Sequence, residues 1–116
     1  MNKKQIKKLL DKAWSLKIRS TGKCAKCGKT SYLNAHHIYG RRMLSVRWDL
    51  DNGICLCSGC HTLCADSAHQ DPMDFYDFIV DLKGEEWLND LRLKAHAVKK
   101  WSLEELEELL GELNDN

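Results

Sequence analysis

The sequence predicts a small α+β domain in which two short strands and a helix are held by a metal and flanked by helices. Two Cys-x-x-Cys pairs bracket residues 24–60, extended segments lie between the pairs, and apolar residues recur at helical spacing on either side. The 116 residues have the length of one domain, spanning 1–116. A chain this short buries a modest core, for which a structural metal is a common remedy.

Residues 1–20 are predicted to form a basic N-terminal helix, because apolar side chains recur at helical spacing from 2 to 19. These apolar residues are Ile6, Leu9, Leu10, Ala13, Trp14 and Ile18. Lysines occupy the other side of the helix, namely Lys3, Lys4, Lys7, Lys8 and Lys12. This basic side either contacts phosphates or is a solvated face.

Two extended segments are expected between the cysteine pairs. Residues 30–38 contain the strand formers Tyr32 and Leu33, and residues 52–56 return as a second strand. Residues 43–51 form the loop that connects them. After the second cysteine pair, a short helix is expected over 59–65.

Residues 72–113 are predicted to be helical. Asp71 followed by Pro72 is typical of an N-cap and a first helical position, so a helix should cover 72–83. A second helix should cover 85–99, and Ser102 with Glu105 forms a capping-box pattern for a last one through 113. The residues expected to face inward are Phe75, Phe78, Ile79, Leu82, Trp87, Leu88, Leu91 and Ala95. The leucine stripe of the last helix is either a core contact or a dimer seam.

Four cysteines in the two pairs predict a structural zinc site. They are Cys24, Cys27, Cys57 and Cys60. Each pair lets two thiolates reach one ion from a tight turn, and two pairs complete a tetrahedral shell closed to water. Disulfides are the alternative, but the lysine-rich N-terminal segment lacks the apolar region of a signal peptide, and reduced cysteines of this pattern favour metal. Cys55 and Cys64 lie outside both pairs and are expected to be buried as small apolar side chains.

Three histidines lie within or just beyond the bracketed region. His36 and His37 are adjacent, and neighbours on a strand point to opposite faces, so the two rings cannot perform the same task. One can hold an ion while the other faces a water or a neighbouring loop. His61 directly follows Cys60, from where its ring can face back toward the strands.

In this combination, residues 24–69 resemble the HNH endonucleases, which have a ββα-metal fold. The matching elements are the bracketing cysteine pairs, the His36-His37 turn, Asn52 at the head of the second strand, and His61 opening the helix. The resemblance implies that His36 and His61 hold a catalytic ion and that His37 is the general base. It also implies that Asn52 holds the loop and orients that base.

The first ion ligand is Asp in many members of that family, and it is His in colicin-type nuclease domains, as at His36. Those domains place a further His one helical turn after the counterpart of His61. That position is Ala65 in this chain, so a three-histidine shell requires His69 to fold back.

Charge is distributed unevenly along the chain. Residues 1–48 hold 13 Lys and Arg against one acid, a net charge of +12, whereas residues 49–116 have a net charge of −11. A positive field around a hydrolytic site fits a nucleic-acid substrate, although two solvated, mutually attracting halves are the alternative. Arg41 and Arg42 follow His37 closely and are expected to grip phosphates. Trp48 either packs the loop down, which is preferred, or stacks on a base.

The sequence therefore predicts a metal-dependent HNH endonuclease that hydrolyses DNA, of the compact kind encoded by phages. The alternatives are a non-catalytic zinc module that binds nucleic acid or protein, and a different hydrolase that uses the same ion on RNA. Besides structural Zn²⁺, a catalytic Mg²⁺ or Mn²⁺ is expected, and the imidazole ligands also suit Ni²⁺ or Zn²⁺. No membrane and no small-molecule cofactor are expected, monomer and dimer both stay open, and the expected location is the cytoplasm of a bacterium or phage-infected host.

Overall fold

The computed structural model describes residues 1–115 and places a two-stranded antiparallel sheet between two pairs of helices. The elements are α1 (Lys3–Arg19), β1 (Leu33–His37), β2 (Gly53–Cys57), α2 (Pro72–Lys83), α3 (Glu85–Ala95) and α4 (Leu103–Asn114). A 3-10 turn over Leu50–Asn52 precedes β2, and a π turn over Gly59–Leu63 follows it. The predicted α+β class is confirmed.

The strands pair over five residues each; β1 is shorter than the predicted 30–38, and β2 is shifted by one residue from the predicted 52–56. β1 begins later than predicted because Tyr32 has a φ of 53°, a left-handed conformation that interrupts an extended chain. β2 begins after Asn52 because the Asn52 N–H donates to the Asp49 carbonyl at 3.0 Å, within the 3-10 turn. Asn52 therefore ends this turn, and does not head the strand as expected.

Residues 54–56 of β2 alternate between two cores. Ile54 and Leu56 face α2 and α3, where they pack with Phe75, Ile79 and Leu88 among others. Cys55 faces α1 and α4 on the other side of the sheet. The second core contains Ile6, Leu10, Trp14, Trp48, Leu106 and Leu113. Trp48 thus packs inside the domain, and the leucine stripe of α4 contributes core contact with α1.

α1 forms as predicted and lies close to the sheet. Its start is closed by a capping box between Asn2 and Gln5. A Cβ on Gly53 would clash with Ile18 and would stand 2.6 Å from Trp14 Cζ2, so only glycine lets the helix approach this closely. α1 is therefore packed directly behind the end of the hairpin.

α2 and α4 begin with the predicted caps. Asp71 accepts a hydrogen bond from the Asp74 N–H at 3.1 Å, and Ser102 and Glu105 form a reciprocal capping box. Leu82 was expected to face inward but is 48% exposed, because it lies in the last turn of α2, where the helix runs past the core. Within residues 1–115, no helix combines the length and the apolar character needed to cross a membrane.

α3 is shorter than predicted, ending at Ala95 and not at 99. The Ser45 hydroxyl donates to the carbonyls of Lys94 at 2.6 Å and of Ala95 at 3.2 Å, which satisfies acceptors at the end of the helix. Beyond this point Lys99 pairs with Glu105 at the start of α4, at 2.6 Å. The chain therefore turns toward α4 and does not continue α3.

Candidate metal centres and active site

Four cysteines meet between the loop after α1 and the end of β2, and we call them the cysteine cluster: Cys24, Cys27, Cys57 and Cys60. All four sulfur atoms lie within 4.8 Å of one another, and those of Cys27 and Cys57 are 3.6 Å apart. Thiolates bound tetrahedrally to zinc at about 2.3 Å stand about 3.8 Å apart, whereas a disulfide requires about 2.05 Å. The predicted four-cysteine set is thus gathered at the spacing that a structural zinc needs.

Backbone N–H groups surround this cluster. Gly28, at a φ of 80°, closes a turn in which its N–H donates to the Cys24 carbonyl at 2.9 Å. Burial raises the pKa of the Cys24 thiol, but hydrogen bonds from backbone N–H groups outweigh burial and lower it to about 6. Burial raises the pKa of Cys60, so its proton must be displaced when an ion binds.

The two remaining cysteines have different environments. Cys55 is buried in the sheet, as predicted. Cys64 is exposed, so the expectation that it is buried is wrong. It lies just after the π turn, where its N–H donates to the Gly59 carbonyl at 2.9 Å, and this leaves its side chain at the surface.

Three histidines converge at a second position, and we call them the histidine cluster: His36, His61 and His69. Their ring nitrogens lie within 4.8 Å of one another, and the Nε2 atoms of His61 and His69 are 3.1 Å apart. Two nitrogens bound to one ion at about 2.1 Å lie about 3.0 Å apart in octahedral geometry and about 3.4 Å apart in tetrahedral geometry. The spacing is therefore compatible with one metal ion bound by the three rings.

His69 reaches the cluster because the chain folds back after the π turn. The Ala68 N–H donates to the Cys60 carbonyl at 2.8 Å, and the His69 N–H donates to the His61 carbonyl at 3.1 Å. The helix predicted over 59–65 ends at 63, so Ala65 lies outside it. His69, which follows in the returning loop, supplies the third imidazole instead.

Asn34 also belongs to this site, although sequence reasoning gave it no role. Its Oδ1 lies 2.9 Å from His61 Nδ1. Because an amide oxygen accepts, Nδ1 of His61 carries the proton and Nε2 is left with a lone pair for an ion. The alternation of a strand was the available signal, since Asn34 shares its face with His36.

The environment of His36 and His61 favours the neutral form of each imidazole. Burial lowers the pKa of His36 to about 3, helped by repulsion from His61 and His69. Burial also lowers the pKa of His61, and His69 contributes to that effect. A neutral imidazole is the form that binds a metal ion.

His37 lies on the opposite face of β1, in agreement with strand alternation. Its ring stacks on Trp14, with the ring centroids 3.8 Å apart and the planes inclined by 12°. Its Nε2 lies 3.0 Å from the Arg47 carbonyl, which can only accept, so Nε2 carries the proton and Nδ1 keeps a lone pair. Burial lowers the pKa of His37 below its ordinary value. A neutral ring with a free lone pair on Nδ1 is the protonation state that a general base requires.

Asn52 is fully buried and ties the two ends of the loop that follows His37. Its Nδ2 donates to the carbonyls of Tyr39 at 2.9 Å and Val46 at 3.1 Å, and its Oδ1 accepts from the Tyr39 N–H at 2.7 Å. Val46 precedes Arg47, so these bonds hold the segment whose carbonyl contacts His37. The contribution of Asn52 to catalysis stays a prediction.

Arg41 and Arg42 are exposed in that loop. Arg41 Nη2 donates to Asp11 Oδ2 at 2.7 Å, and Arg47 donates to both Asp11 oxygens, at 3.0 and 2.7 Å. The sequence analysis assigned no role near His37 to Arg47, Asp11 or Trp14. The available signal was that Asp11 is the one acid among the 13 bases of residues 1–48, which makes it a candidate partner for an arginine.

A cleft of about 390 Å³ opens beside both sets of histidines. Its lining includes His36, His37, His69, Tyr39, Phe75 and Tyr76. Two rings of the histidine cluster, His36 and His69, therefore border the same space as the candidate base His37. Comparison of the chain with family models, with curated proteins and with solved structures found no match in any of the three.

Proposed function

We propose that the protein is a metal-dependent endonuclease of the HNH type that hydrolyses DNA phosphodiester bonds. The observation that carries this proposal is the convergence of three imidazoles on one point, beside a neutral His37 held in a single tautomer. The resemblance of residues 24–69 to the HNH endonucleases supports the same function.

The histidine cluster is the proposed site of the catalytic ion. Three imidazole nitrogens, from His36, His61 and His69, favour Mn²⁺, Ni²⁺ or Zn²⁺ over Mg²⁺. When bound, such an ion supplies charge neutralisation at a scissile phosphate. Asn34 supports the arrangement by fixing the ring of His61.

His37 is the proposed general base. Its Nδ1 takes a proton from the attacking water, while its Nε2–H stays bonded to the Arg47 carbonyl. That bond strengthens as the ring becomes positively charged, and it thereby stabilises the protonated base. Asn52 contributes indirectly by fixing the loop that carries this carbonyl.

The cysteine cluster is proposed to position the chemistry without taking part in it. His61 directly follows Cys60, so a zinc held by the four thiolates fixes the backbone from which His61 projects. Exposed Arg41 and Arg42, together with the lysine side of α1, provide positive charge for the DNA backbone.

A plasmid-nicking assay tests this function. The full chain is incubated with supercoiled DNA and Mg²⁺, Mn²⁺, Ni²⁺ or Zn²⁺, with EDTA and with the His37→Ala variant as controls. Nicking that requires an added ion and His37 supports the proposal. Binding of DNA without nicking under every condition would instead favour a non-catalytic zinc module, and cleavage of RNA alone would favour a different hydrolase.

A further inference from the structure

Two side chains of α1, Asp11 and Trp14, hold three consecutive residues of the loop before β2. Asp11 binds the Arg47 guanidinium through both carboxylate oxygens and accepts from Trp48 Nε1 at 2.8 Å. Trp14 Nε1 donates to the Asp49 carbonyl at 2.8 Å. The carbonyl bonded to His37 belongs to Arg47, at the start of this held segment. α1 therefore holds in place the Arg47 carbonyl, which fixes the tautomer of His37.

Trp14 also contacts His37 directly. The two rings are nearly parallel at 3.8 Å, and Trp14 is 2% exposed, so the indole is confined between α1 and the sheet. The bond from Trp14 to Asp49 fixes the indole in its own plane. Rotation of the His37 ring would break both the stack and the bond to Arg47.

We propose that Asp11 and Trp14 are positioning residues for His37, so that α1 completes the active site. This inference rests on the proposed function, because it assigns the two residues an effect on the reaction. Trp14 acts on the ring itself, and Asp11 acts through Arg47. A residue that only filled the core would need volume alone, whereas this arrangement needs a flat ring at position 14 and an acceptor for arginine at position 11.

Cleavage kinetics of the full chain at saturating ion test the inference. Trp14→Leu and Asp11→Ala should each lower kcat by at least about tenfold, because a misoriented base affects the chemical step. KM should be little changed in Trp14→Leu, whereas Asp11→Ala also releases Arg41, which is proposed to contact DNA. Trp14→Phe keeps a flat ring on His37 and should recover most of kcat. Leu10→Ala is the matched control, since Leu10 is equally buried on α1 in the same core and lies outside these contacts. It should lower thermal stability and leave kcat unchanged.

Nitrogen NMR of the His37 ring gives a readout independent of turnover. The wild type should show the Nε2–H tautomer alone, and Trp14→Leu or Asp11→Ala should show a mixture. If Trp14→Leu does not fold, Asp11→Ala carries the test, because Asp11 lies at the partly exposed edge of the core.

A folded Asp11→Ala variant with wild-type kcat and an unchanged tautomer would overturn the inference while the proposed function stands. An equal loss of kcat in Leu10→Ala would do the same, because it would trace the effect to stability. Failure of the wild type to cleave DNA with any of the ions would overturn the proposed function, and this inference with it.

Discussion

The cysteine cluster and the histidine cluster share one hairpin but assemble their ligands differently. Each half of the cysteine cluster comes from a single four-residue turn, so its ligands are near one another in the chain. The histidine cluster draws on a strand, a π turn and a loop that folds back, and it borders an open cleft. A closed thiolate shell is typical of a structural ion, whereas a site bordered by open space can admit a substrate.

The two clusters are linked in one direction. Cys60 and His61 are adjacent, so the cysteine cluster helps to position one ring of the histidine cluster. The histidine cluster, in contrast, borders the cleft and contributes no ligand to the cysteine cluster. Substitutions in the cysteine cluster should therefore abolish both folding and catalysis, whereas substitutions in the histidine cluster should abolish catalysis alone.

The largest effect is expected from Cys24→Ser or Cys60→Ser. Loss of one thiolate should cost the zinc, and a domain whose total stability is about 5–15 kcal/mol should then unfold. Circular dichroism and zinc content measure the result. Cys64→Ser is the matched control, because Cys64 is exposed and outside the cluster, and it should keep both zinc and fold. A folded, zinc-free Cys24→Ser protein with normal melting would contradict the structural role.

His37→Ala should be the most damaging change that leaves the fold intact. A general base contributes about 10²- to 10⁴-fold to rate, so nicking should fall by that factor while zinc content and melting temperature stay close to wild type. The variant also loses the stack on Trp14 and the bond to the Arg47 carbonyl. Wild-type cleavage by this variant would eliminate His37 as the base.

Asn34→Ala should weaken binding of the proposed catalytic ion without abolishing its site. Loss of the partner of a histidine ligand lowers metal affinity by about 10- to 100-fold, and His69→Ala, which removes a ligand, should lower it further. Calorimetric titration of Mn²⁺ into the zinc-loaded protein measures both. Equal affinity in Asn34→Ala and the wild type would show that His61 needs no such support.

The smallest effect is a displacement of the pH profile. A general base must be neutral to work, and burial lowers the pKa of His37 below its ordinary value of 6.5. The neutral form therefore persists to lower pH, and the acidic limb of kcat should have its midpoint below 6.5. Single-turnover cleavage at saturating ion checks this value. A midpoint above that ordinary value would mean that another group controls the rate.

The two clusters also differ in how far the sequence could predict them. The cysteine ligands follow from local spacing, and the opposite faces of His36 and His37 follow from strand alternation. His69 could not be assigned, because its return depends on a π turn and on backbone bonds to Cys60 and His61. The late start of β1 depends on one left-handed residue, Tyr32, which pattern reasoning takes for a strand former.

The surroundings of His37 were likewise beyond sequence reasoning. Asp11 and Arg47 are 36 residues apart, and Trp14 and Asp49 are 35 apart, so no local pattern relates them. The helix caps, in contrast, are encoded within four residues and were predicted at Asp71 and at Ser102. Features set by neighbouring residues, such as the helix caps, could therefore be predicted from the sequence, whereas contacts across the fold could not.

Selective chelation most directly tests whether the cysteine cluster holds a structural ion and the histidine cluster a catalytic one. Protein treated briefly with EDTA is analysed for metal content, circular dichroism and nicking, before and after Mn²⁺ is returned. One zinc per chain and an unchanged fold are expected after treatment, with nicking lost and then restored by Mn²⁺. Nicking that persists when only the thiolate-bound zinc remains, or that disappears only when the protein unfolds, would contradict this expectation.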